Sequence, residues 1–365
     1  MRAHDSRPNV VVQQSWSEYP DFVDCLTELG FSRVVLGTQS ALFKGKFTLT
    51  RQAIRASMQL WRHRQTLRDT GILVVFGHFT WVIKLLARLR LIRYRELFCF
   101  AFFVHAPVWF PVFRWLSRLD TARDHYLIFS RSELDLYAHR LGIDTSRMHY
   151  LPYGDWSMVP ATDEPAAGGI ESPELVDYYF SGGYSNRDYL SLIDAFRDIA
   201  APLVIVCSSL NKELDNVSLP PNVKVLRDVP SPTFEQYVRG AKAGIICLKL
   251  DTGASGQSVV LRLMRNAKVV IASDVGAMRE YIEPGVSGYL MGDLTADLRE
   301  FIAKIEGDPD AAVSAGQRAR EKYLKCFSRS ASAAAFKNIL LRSADSALLP
   351  EELRAAVQPQ TRASA

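Results

Sequence analysis

Short apolar runs alternate with longer stretches of helical periodicity along most of the chain. In the first half, the runs that predict buried strands are NVVV (9–12), RVVL (33–36), ILVVF (72–76), FCFAFFV (98–104) and HYLIF (125–129). Apolar residues with helical spacing lie between them over 19–29, 50–68 and 81–91, and another helix is predicted to start near Ser132. Alternation of this kind is typical of βαβ units and predicts a mainly parallel sheet.

The alternation stops at ATDEPAAGGIESP (161–173), a short segment rich in Pro, Gly and Ala that predicts a linker. It then resumes, with predicted strands at 178–180, 203–207, 223–226 and 244–248 and a long predicted helix over 311–325. We therefore predict an α/β fold with two Rossmann-like, doubly wound domains facing a cleft, where ligands meet the carboxyl ends of the strands. The predicted boundaries are 1–158, a linker over 159–174, 175–325, and a helical tail over 326–365.

Composition narrows the class of protein. The chain of 365 residues is 48% hydrophobic and 23% charged, which is ordinary for a globular protein with a real core. Its five cysteines are scattered without a C-x-x-C pair, which argues against a disulfide framework or a zinc site and favours a reducing compartment. No histidine pair has metal-binding spacing, so no metal is expected. The first residues lack the apolar core of a signal peptide, which favours the cytoplasm.

Charge is distributed unevenly. Residues 1–155 carry 21 basic and 13 acidic side chains, and ten of the basic ones lie in 51–95 against Asp69 alone. The segment Trp81–Arg95 is basic and amphipathic, which indicates either peripheral contact with an anionic membrane surface or a core-packing helix with a solvated basic face. The apolar run 97–113 is interrupted by His105, Pro107 and Pro111, so we predict no transmembrane helix there.

Two glycine turns precede predicted helices in the second half. Gly182 and Gly183 lie in FSGGYSNRDYL with the basic Arg187 close behind them. The second turn lies in GASGQSVVLRLM (253–264), where we single out Ser255, Gly256, Gln257 and Ser258. Each turn alone is compatible with an ordinary strand-to-helix connection. Together they predict an anion site, because the first N–H groups of a helix lack intrahelical partners.

Other classes lack their motifs. We find no helix-turn-helix, RNA-binding aromatic pattern or zinc finger, so no nucleic-acid partner is expected. The first strand is followed by QQSWSEYPDF, which contains no glycine and excludes the G-x-G-x-x-G turn of a dehydrogenase.

The serial order of motifs in the second half resembles the GT-B glycosyltransferases, in particular the retaining group 1 family. The motifs are FSGGYSNRDYLSLIDAF (180–196), NVKVLRDVPSPTFEQYVRGAKAGIICL (222–248), GASGQSVVLRLMRNAKVVIASD (253–274) and VGAMREYIEPGVSGYLMGD (275–293), preceded by YLPYGDW (150–156). The resemblance implies a nucleotide-sugar donor, with no metal or other cofactor. It implies that Gly182, Gly183, Arg187 and residues 255–258 bind the diphosphate, and that His105 lies near the transferred sugar. His78 is the second candidate for that role.

One departure from the family bears on activity. Many members carry two glutamates on the nucleotide-binding helix, and the second contacts the ribose; these positions fall on Ala254 and Arg262 here. An arginine cannot accept a ribose hydrogen bond. We expect Arg262 either to lie on the solvated helix face, which we favour, or to point at phosphate.

The resulting prediction is a glycosyltransferase that moves a sugar from a nucleotide sugar to a lipid-linked or oligosaccharide acceptor in cell-surface polysaccharide or glycolipid synthesis. The alternative is a non-catalytic GT-B binding or partner protein. We expect it in the cytoplasm, with peripheral contact to the inner face of the cytoplasmic membrane as an open alternative.

Overall fold

A computed structural model describes residues 7–14, 20–37, 55, 57–76, 80–100, 102, 109–155, 177–249 and 255–353. The chain divides into two compact units. Unit 1 contains Met1–Pro152, Trp156–Met158 and Ser332–Ala365, and unit 2 contains Tyr153–Asp155 and Val159–Ala331. The chain therefore returns to unit 1 after completing unit 2.

Unit 1 is built on a six-stranded sheet in the order β2-β1-β3-β4-β5-β6, and every neighbouring pair is parallel. Its strands are β1 (Val10–Gln14), β2 (Ser32–Leu36), β3 (Thr70–Phe76), β4 (Tyr94–Phe100), β5 (Asp124–Ile128) and β6 (Met148–Tyr150). All seven residues of β3 are buried. Continuous burial of a central strand is expected when helices cover both faces of a parallel sheet.

The helices of unit 1 cover the two faces of this sheet. They are α1 (Pro20–Glu28), α2 (57–62), α3 (Thr80–Arg88), α4 (Phe110–Leu116), α5 (Arg131–Leu141) and the C-terminal α12 (Arg329–Ser343). On one face, Phe336 of α12 packs edge-on against Phe22 of α1, with ring centroids 5.0 Å apart, and lies near Phe98 of β4. On the other face, α2 to α5 pack over a cluster that includes Leu60 and Ile83.

Unit 2 repeats the architecture with a parallel sheet in the order β12-β11-β10-β7-β8-β9. The strands are β7 (Tyr179–Gly182), β8 (Leu203–Cys207), β9 (Val223–Arg227), β10 (Ala243–Ile246), β11 (Val269–Ser273) and β12 (Gly288–Met291). The helices are α6 (Tyr189–Ala195), α7 (Ser231–Gly240), α8 (Gln257–Arg265), α9 (Met278–Tyr281), α10 (Leu294–Gly307) and α11 (Pro309–Cys326). Two apolar clusters, one on each face of the sheet, form its core.

The prediction of two parallel α/β units is confirmed, and the differences lie at element ends. The helix predicted over 81–91 ends at Arg88, and Arg90 adopts a left-handed φ of 59°. The strand predicted to begin at Phe98 begins at Tyr94 instead, because its first residues pair with β3 from Thr70 onward. Parts of the predicted 50–68 helix, and residue 101 and residues 103–104 of the predicted strand, lie outside the described residues. No helix in the described ranges is long and apolar enough to cross a membrane.

Candidate functional site

The first glycine turn follows β7 and is tightly packed. Gly182 ends the strand, and a Cβ added there would lie 2.6 Å from the Phe234 ring. Gly183 has φ +101°, and a Cβ added there would lie 2.5 Å from Nη2 of Arg187. Both the left-handed conformation and the lack of space favour glycine at residue 183. Two residues without side chains therefore lie at the carboxyl end of β7, a central strand of the sheet.

Arg187 folds back onto this turn. It is only 4% exposed; its Nε donates to the Gly182 carbonyl at 2.8 Å and its Nη1 to the Ser185 carbonyl at 2.6 Å. Burial lowers the pKa of this guanidinium, but an arginine stays protonated in proteins. Among the described side chains, no carboxylate lies within ion-pair distance of it. A buried cation without an acidic partner suits an anionic ligand.

The second glycine turn opens α8. Gly256 is its N-cap with φ +86°, and none of the described side chains caps the helix. Gln257 is buried and its Nε2 donates to the Tyr281 hydroxyl at 3.0 Å, whereas Ser255 is half-buried and Ser258 is exposed. Gln257 thus anchors the helix to α9, a role that the sequence did not predict. The start of the helix carries the positive end of the helix dipole, which favours negative charge.

Adjacent strands bring the two turns to the same edge of the sheet. β7 and β10 are parallel neighbours, and Arg187 forms a β-bridge with Leu248, just beyond β10. A Cβ on Gly256 would lie 3.7 Å from a methyl of the same Leu248 side chain. Leu248 therefore connects the Arg187 turn with the start of α8. The structure brings together the residues that the sequence assigned to two separate turns.

The neighbouring strands end in a further polar turn that sequence reasoning missed. Asp228 follows β9 with a left-handed φ of 51° and accepts hydrogen bonds from the Ser208 hydroxyl and the Ser209 N–H, both at 3.0 Å. The Ser209 hydrogen bonds lower the pKa of this carboxyl. Asn211 then donates to the Tyr184 carbonyl in the first glycine turn at 3.1 Å. The sequence indicates this turn only through small polar residues directly after two strands, Ser208 and Ser209 after β8 and Asp228 after β9.

Residues 177–307 match the family model described as "Glycosyl transferases group 1". Sucrose-phosphate synthase from Thermosynechococcus elongatus superimposes with a TM-score of 0.70 at 14% identity, over 92% of this chain and 98% of that one. Anabaena HepE in complex with UDP-glucose gives 0.63 at 13% identity, over 90% and 98%. The lipopolysaccharide outer core galactosyltransferase WaaB gives 0.59 at 12% identity, over 92% and 99%. No curated protein matches this sequence.

The chain has the GT-B fold, and residues 177–307 of unit 2 are similar to the group 1 glycosyltransferases. Both the predicted fold and the predicted family resemblance are thereby confirmed. The matched residues contain the Gly182–Gly183 turn, Arg187 and the whole of α8. The anion-binding geometry and the family match therefore fall on the same part of the molecule.

Arg262 is where the structure corrects an expectation drawn from the sequence. We favoured a solvated position, but the side chain is only 18% exposed, and its Nη1 donates to Oε2 of Glu235 at 3.2 Å. Its guanidinium also lies 5.2 Å from the centre of the Phe234 ring, the ring that packs against Gly182. Glu235 on α7 holds the arginine in place, and a lone sequence gives no sign of this distant partner. Ala254 lies outside the described residues.

A buried ion network continues from Glu235 towards the point where the chain enters unit 2. Arg265 donates to Oε1 of Glu235 at 2.8 Å and to Oδ2 of Asp155 at 2.7 Å. The Tyr323 hydroxyl donates to the same Asp155 oxygen at 3.1 Å. The charges of Asp155 and Glu235 raise the pKa of Arg265 against the opposing effect of burial, which is the largest single influence. Asp155 thus anchors α8 and α11.

The two histidines proposed near the transferred sugar, His105 and His78, both lie outside the described residues. Within the described ranges, no group of three or more His, Cys, Asp and Glu side chains could hold a metal ion. His149 and His139 lie in unit 1. His149 contacts His125 at 3.0 Å, and His139 contacts a carbonyl of its own helix.

Proposed function

We propose that the protein transfers a sugar from a nucleotide-sugar donor to a lipid-linked or oligosaccharide acceptor, with retention at the anomeric carbon. The observation that carries the proposal is Arg187, a buried cation beside the Gly182–Gly183 turn. When the sugar leaves, negative charge grows on the diphosphate oxygen that held it. Preorganised donors at that oxygen stabilise the transition state.

The remaining contacts of the diphosphate follow from the geometry. The start of α8 at Ser258 would present a backbone N–H and the positive end of the helix dipole to the phosphates, while Arg187 supplies the charge; the Gly183 N–H itself donates to the Val206 carbonyl at 3.0 Å. The Asp228 turn lies at the end of a neighbouring strand and is the candidate site for the base. Because HepE is solved with UDP-glucose, a uridine nucleotide is the first donor to test.

His105 is our candidate for the residue beside the transferred sugar, with His78 second. We propose a role in cell-surface polysaccharide or glycolipid synthesis in the cytoplasm, and WaaB, named as a lipopolysaccharide outer core galactosyltransferase, supports this setting. A His105→Ala variant should lower turnover and leave diphosphate affinity nearly unchanged, since only the reacting end of the donor would lose a contact. Equal loss of both, with a lower melting temperature, would instead indicate a packing role.

Titration calorimetry with UDP and with UDP-, GDP- and ADP-sugars tests the donor site. Arg187→Ala should weaken nucleoside diphosphate binding by about 1.5–3 kcal/mol, because a charge-assisted hydrogen bond is lost. Arg187→Lys should recover part of it, since the charge remains. Arg299→Ala, an exposed arginine of the same unit, is the matched control and should bind as the wild type does. Equal affinity in a folded Arg187→Ala protein would remove Arg187 from the site.

A non-catalytic binding protein of the same fold is the second candidate, and Arg262 favours it. Arg262 has no carboxylate to accept a ribose hydrogen bond. The carboxylate of its partner Glu235 is already ion-paired with Arg262 and Arg265. A protein that binds the nucleotide sugar but neither hydrolyses it nor transfers from it to saccharide or lipid acceptors would support this candidate.

A further inference from the structure

Helix α4 of unit 1 presents an exposed apolar stripe. None of its residues is fully buried, and Trp109, which directly precedes it, is 43% exposed. Val112 is 43% and Trp115 60% exposed. At about 100° per residue, these three positions fall within about 120° of one another around the helix axis. Two tryptophans and a valine therefore face solvent side by side.

Helix α3 lies next to α4 and also exposes apolar side chains. The two helices enclose a small space lined by Trp81 and Phe113, and Lys84 of α3 is ion-paired with Asp120, which follows α4. On the solvent side of α3, Leu85 is 44% exposed, and Leu89, just past the helix end, is 58% exposed. We call Leu85, Leu89, Trp109, Val112 and Trp115 the apolar face.

The charges around the apolar face are of one sign. Arg88 and Arg90 end α3, Arg114 lies on α4, and Arg118 follows it; all four are exposed. None forms an ion pair with any described carboxylate. The sequence from 55 to 119 carries eleven basic residues but only Asp69 and Glu96 as acids.

Both of these acids are already occupied. Asp69 binds Arg7 at 2.8 Å, and Glu96 binds His125 at 2.9 Å. Neither acid of the 55–119 segment therefore neutralises the arginines around the apolar face. An exposed apolar patch of this kind marks an interaction surface, and unpaired arginines select an anionic partner.

We propose that the apolar face, with Arg88, Arg90, Arg114 and Arg118 around it, docks on an anionic lipid surface. Tryptophan suits the boundary between head groups and acyl chains, and arginine reaches phosphates from a partly buried stem. A protein partner would need acidic side chains against every arginine, whereas an anionic bilayer supplies negative charge at all positions. This inference does not depend on the proposed transfer reaction.

The site differs from the one that the sequence indicated. The predicted membrane segment was Trp81–Arg95, yet Val82, Ile83 and Lys84 are buried and Trp81 lines the space under α4. The exposed tryptophans lie on α4, outside that segment. Helix α3 thus packs on the core through one face. Its exposed side chains, Leu85 and Arg88, and those just past its end, Leu89 and Arg90, form part of the proposed lipid contact.

Sedimentation with phospholipid vesicles tests the proposal. The full-length protein should pellet at low salt with vesicles of phosphatidylglycerol and phosphatidylcholine in equal amounts, and high salt should release it. With phosphatidylcholine alone it should bind much more weakly. Quenching of tryptophan fluorescence by lipids brominated on their acyl chains should accompany binding, because Trp109 and Trp115 would enter the bilayer boundary.

Two pairs of substitutions separate the apolar and charged contributions. Trp115→Ser with Val112→Ser should lower the partition coefficient about tenfold and remove most of the lipid quenching. Arg114→Gln with Arg118→Gln should lower it about twentyfold at low salt and flatten its salt dependence. The matched controls in unit 2 are Val313→Ser, equally exposed, and Arg197→Gln with Arg299→Gln, which remove the same charge. These should bind as the wild type does.

Three outcomes would overturn the proposal. The wild type could ignore anionic vesicles at low salt, in which case the face serves a protein or another partner. The control arginines could matter as much as Arg114 and Arg118, which would indicate nonspecific attraction. The tryptophan signal could also remain unquenched in the pelleted protein, which would place another surface against the lipid. Circular dichroism of each variant verifies that the fold is retained.

Discussion

Both units are six-stranded parallel sheets, yet the left-handed glycines that follow helices in unit 1 have different surroundings from those beside the candidate donor site in unit 2. In unit 1, Gly30 and Gly142 follow α1 and α5, and a Cβ added at either would meet nothing within 4 Å. In unit 2, Gly183 and Gly256 lie at the carboxyl ends of strands, and a Cβ would lie 2.5 Å and 3.0 Å from its neighbours. The first pair only ends helices. The second pair brings backbone close to other groups, as a phosphate site requires.

Buried charges differ in the same way. In unit 1, Lys84, Asp120 and Tyr126 form a cluster before the start of β5 and at its centre, far from the carboxyl ends of the strands. In unit 2, Arg265 and Glu235 lie on the helices whose first turns face the candidate donor site. The same architecture thus uses buried ions for packing in one unit and for fixing functional helices in the other.

The largest expected effect comes from breaking the unit 2 network. Arg265→Ala leaves Asp155 and Glu235 buried with fewer partners, so the free energy of unfolding should fall by about 3–5 kcal/mol. Urea denaturation followed by circular dichroism measures this change. Replacing Arg265 by Met together with Asp155 by Leu should recover much of the loss, because Asp155 no longer leaves a buried charge and Glu235 keeps Arg262 and Asn266 as partners. If Arg265→Ala costs less than about 1 kcal/mol, solvent reaches the network.

The glycine comparison gives the next effect. In Gly183→Ala, the alanine would have to adopt a left-handed φ and its Cβ would clash with the Arg187 side chain. We expect this substitution to lower the free energy of unfolding by about 1–3 kcal/mol and to weaken diphosphate binding. Gly142→Ala meets only the φ and should cost about 1–2 kcal/mol without affecting binding. Thermal unfolding and calorimetry on both variants measure the two properties. Similar losses of diphosphate affinity would contradict the distinction between the two kinds of glycine.

A pH dependence is expected from unit 1. Burial, together with the charge of His125, lowers the pKa of His149 to about 4 from its ordinary 6.5. The folded state keeps this imidazole neutral, while the unfolded chain takes up a proton below about 6.5. Stability should therefore fall as the pH decreases from about 6.5 to about 4, by about 1–2 kcal/mol after allowance for solvent screening.

Denaturation at several pH values, with the wild type and His149→Gln compared, measures the contribution of His149. The variant should show a flatter profile between these two pH values. Identical slopes in the two proteins would show that His149 does not titrate in this range.

The smallest effects concern exposed arginines. Arg299 pairs with Asp198 on the surface of unit 2 at 2.5 Å, whereas Arg114 of unit 1 has no described acidic partner. Arg299→Gln should cost less than about 1 kcal/mol, because exposed ion pairs contribute little. Arg114→Gln should leave stability unchanged within about 0.5 kcal/mol. Thermal melts in low and high salt distinguish them, since only the paired arginine should lose its effect in salt.

The fold was largely predictable because each strand run is continuous and each helix periodic. Runs such as ILVVF (72–76) became fully buried strands, and the helix predicted over 311–325 spans Pro309–Cys326. Element ends were less predictable. The start of β4, Tyr94 to Glu96, is polar and lacks the apolar pattern that predicts a strand. It forms a strand because it pairs with β3.

The candidate site was predictable where a local motif carries it. Gly182, Gly183 and Arg187 lie within six residues of one another, and the turn at Gly256 directly precedes its helix. Arg262 was not predictable, because its environment depends on Glu235, which is 27 residues away. The Arg265–Asp155 pair spans 110 residues. Contacts between distant positions leave no pattern in a single sequence.

The return of the chain to unit 1 has a practical consequence for dissecting the protein. Helix α12 follows unit 2 in the sequence, but its Phe336 fills the aromatic cluster formed by Phe22 and Phe98. A fragment that stops at Pro152 would leave those rings uncovered and exposed to water. An isolated first half would consequently tend to aggregate, and fusing the α12 segment to it through a flexible linker offers the natural remedy. Residues 177–331, by contrast, include all the strands of unit 2 in one continuous piece.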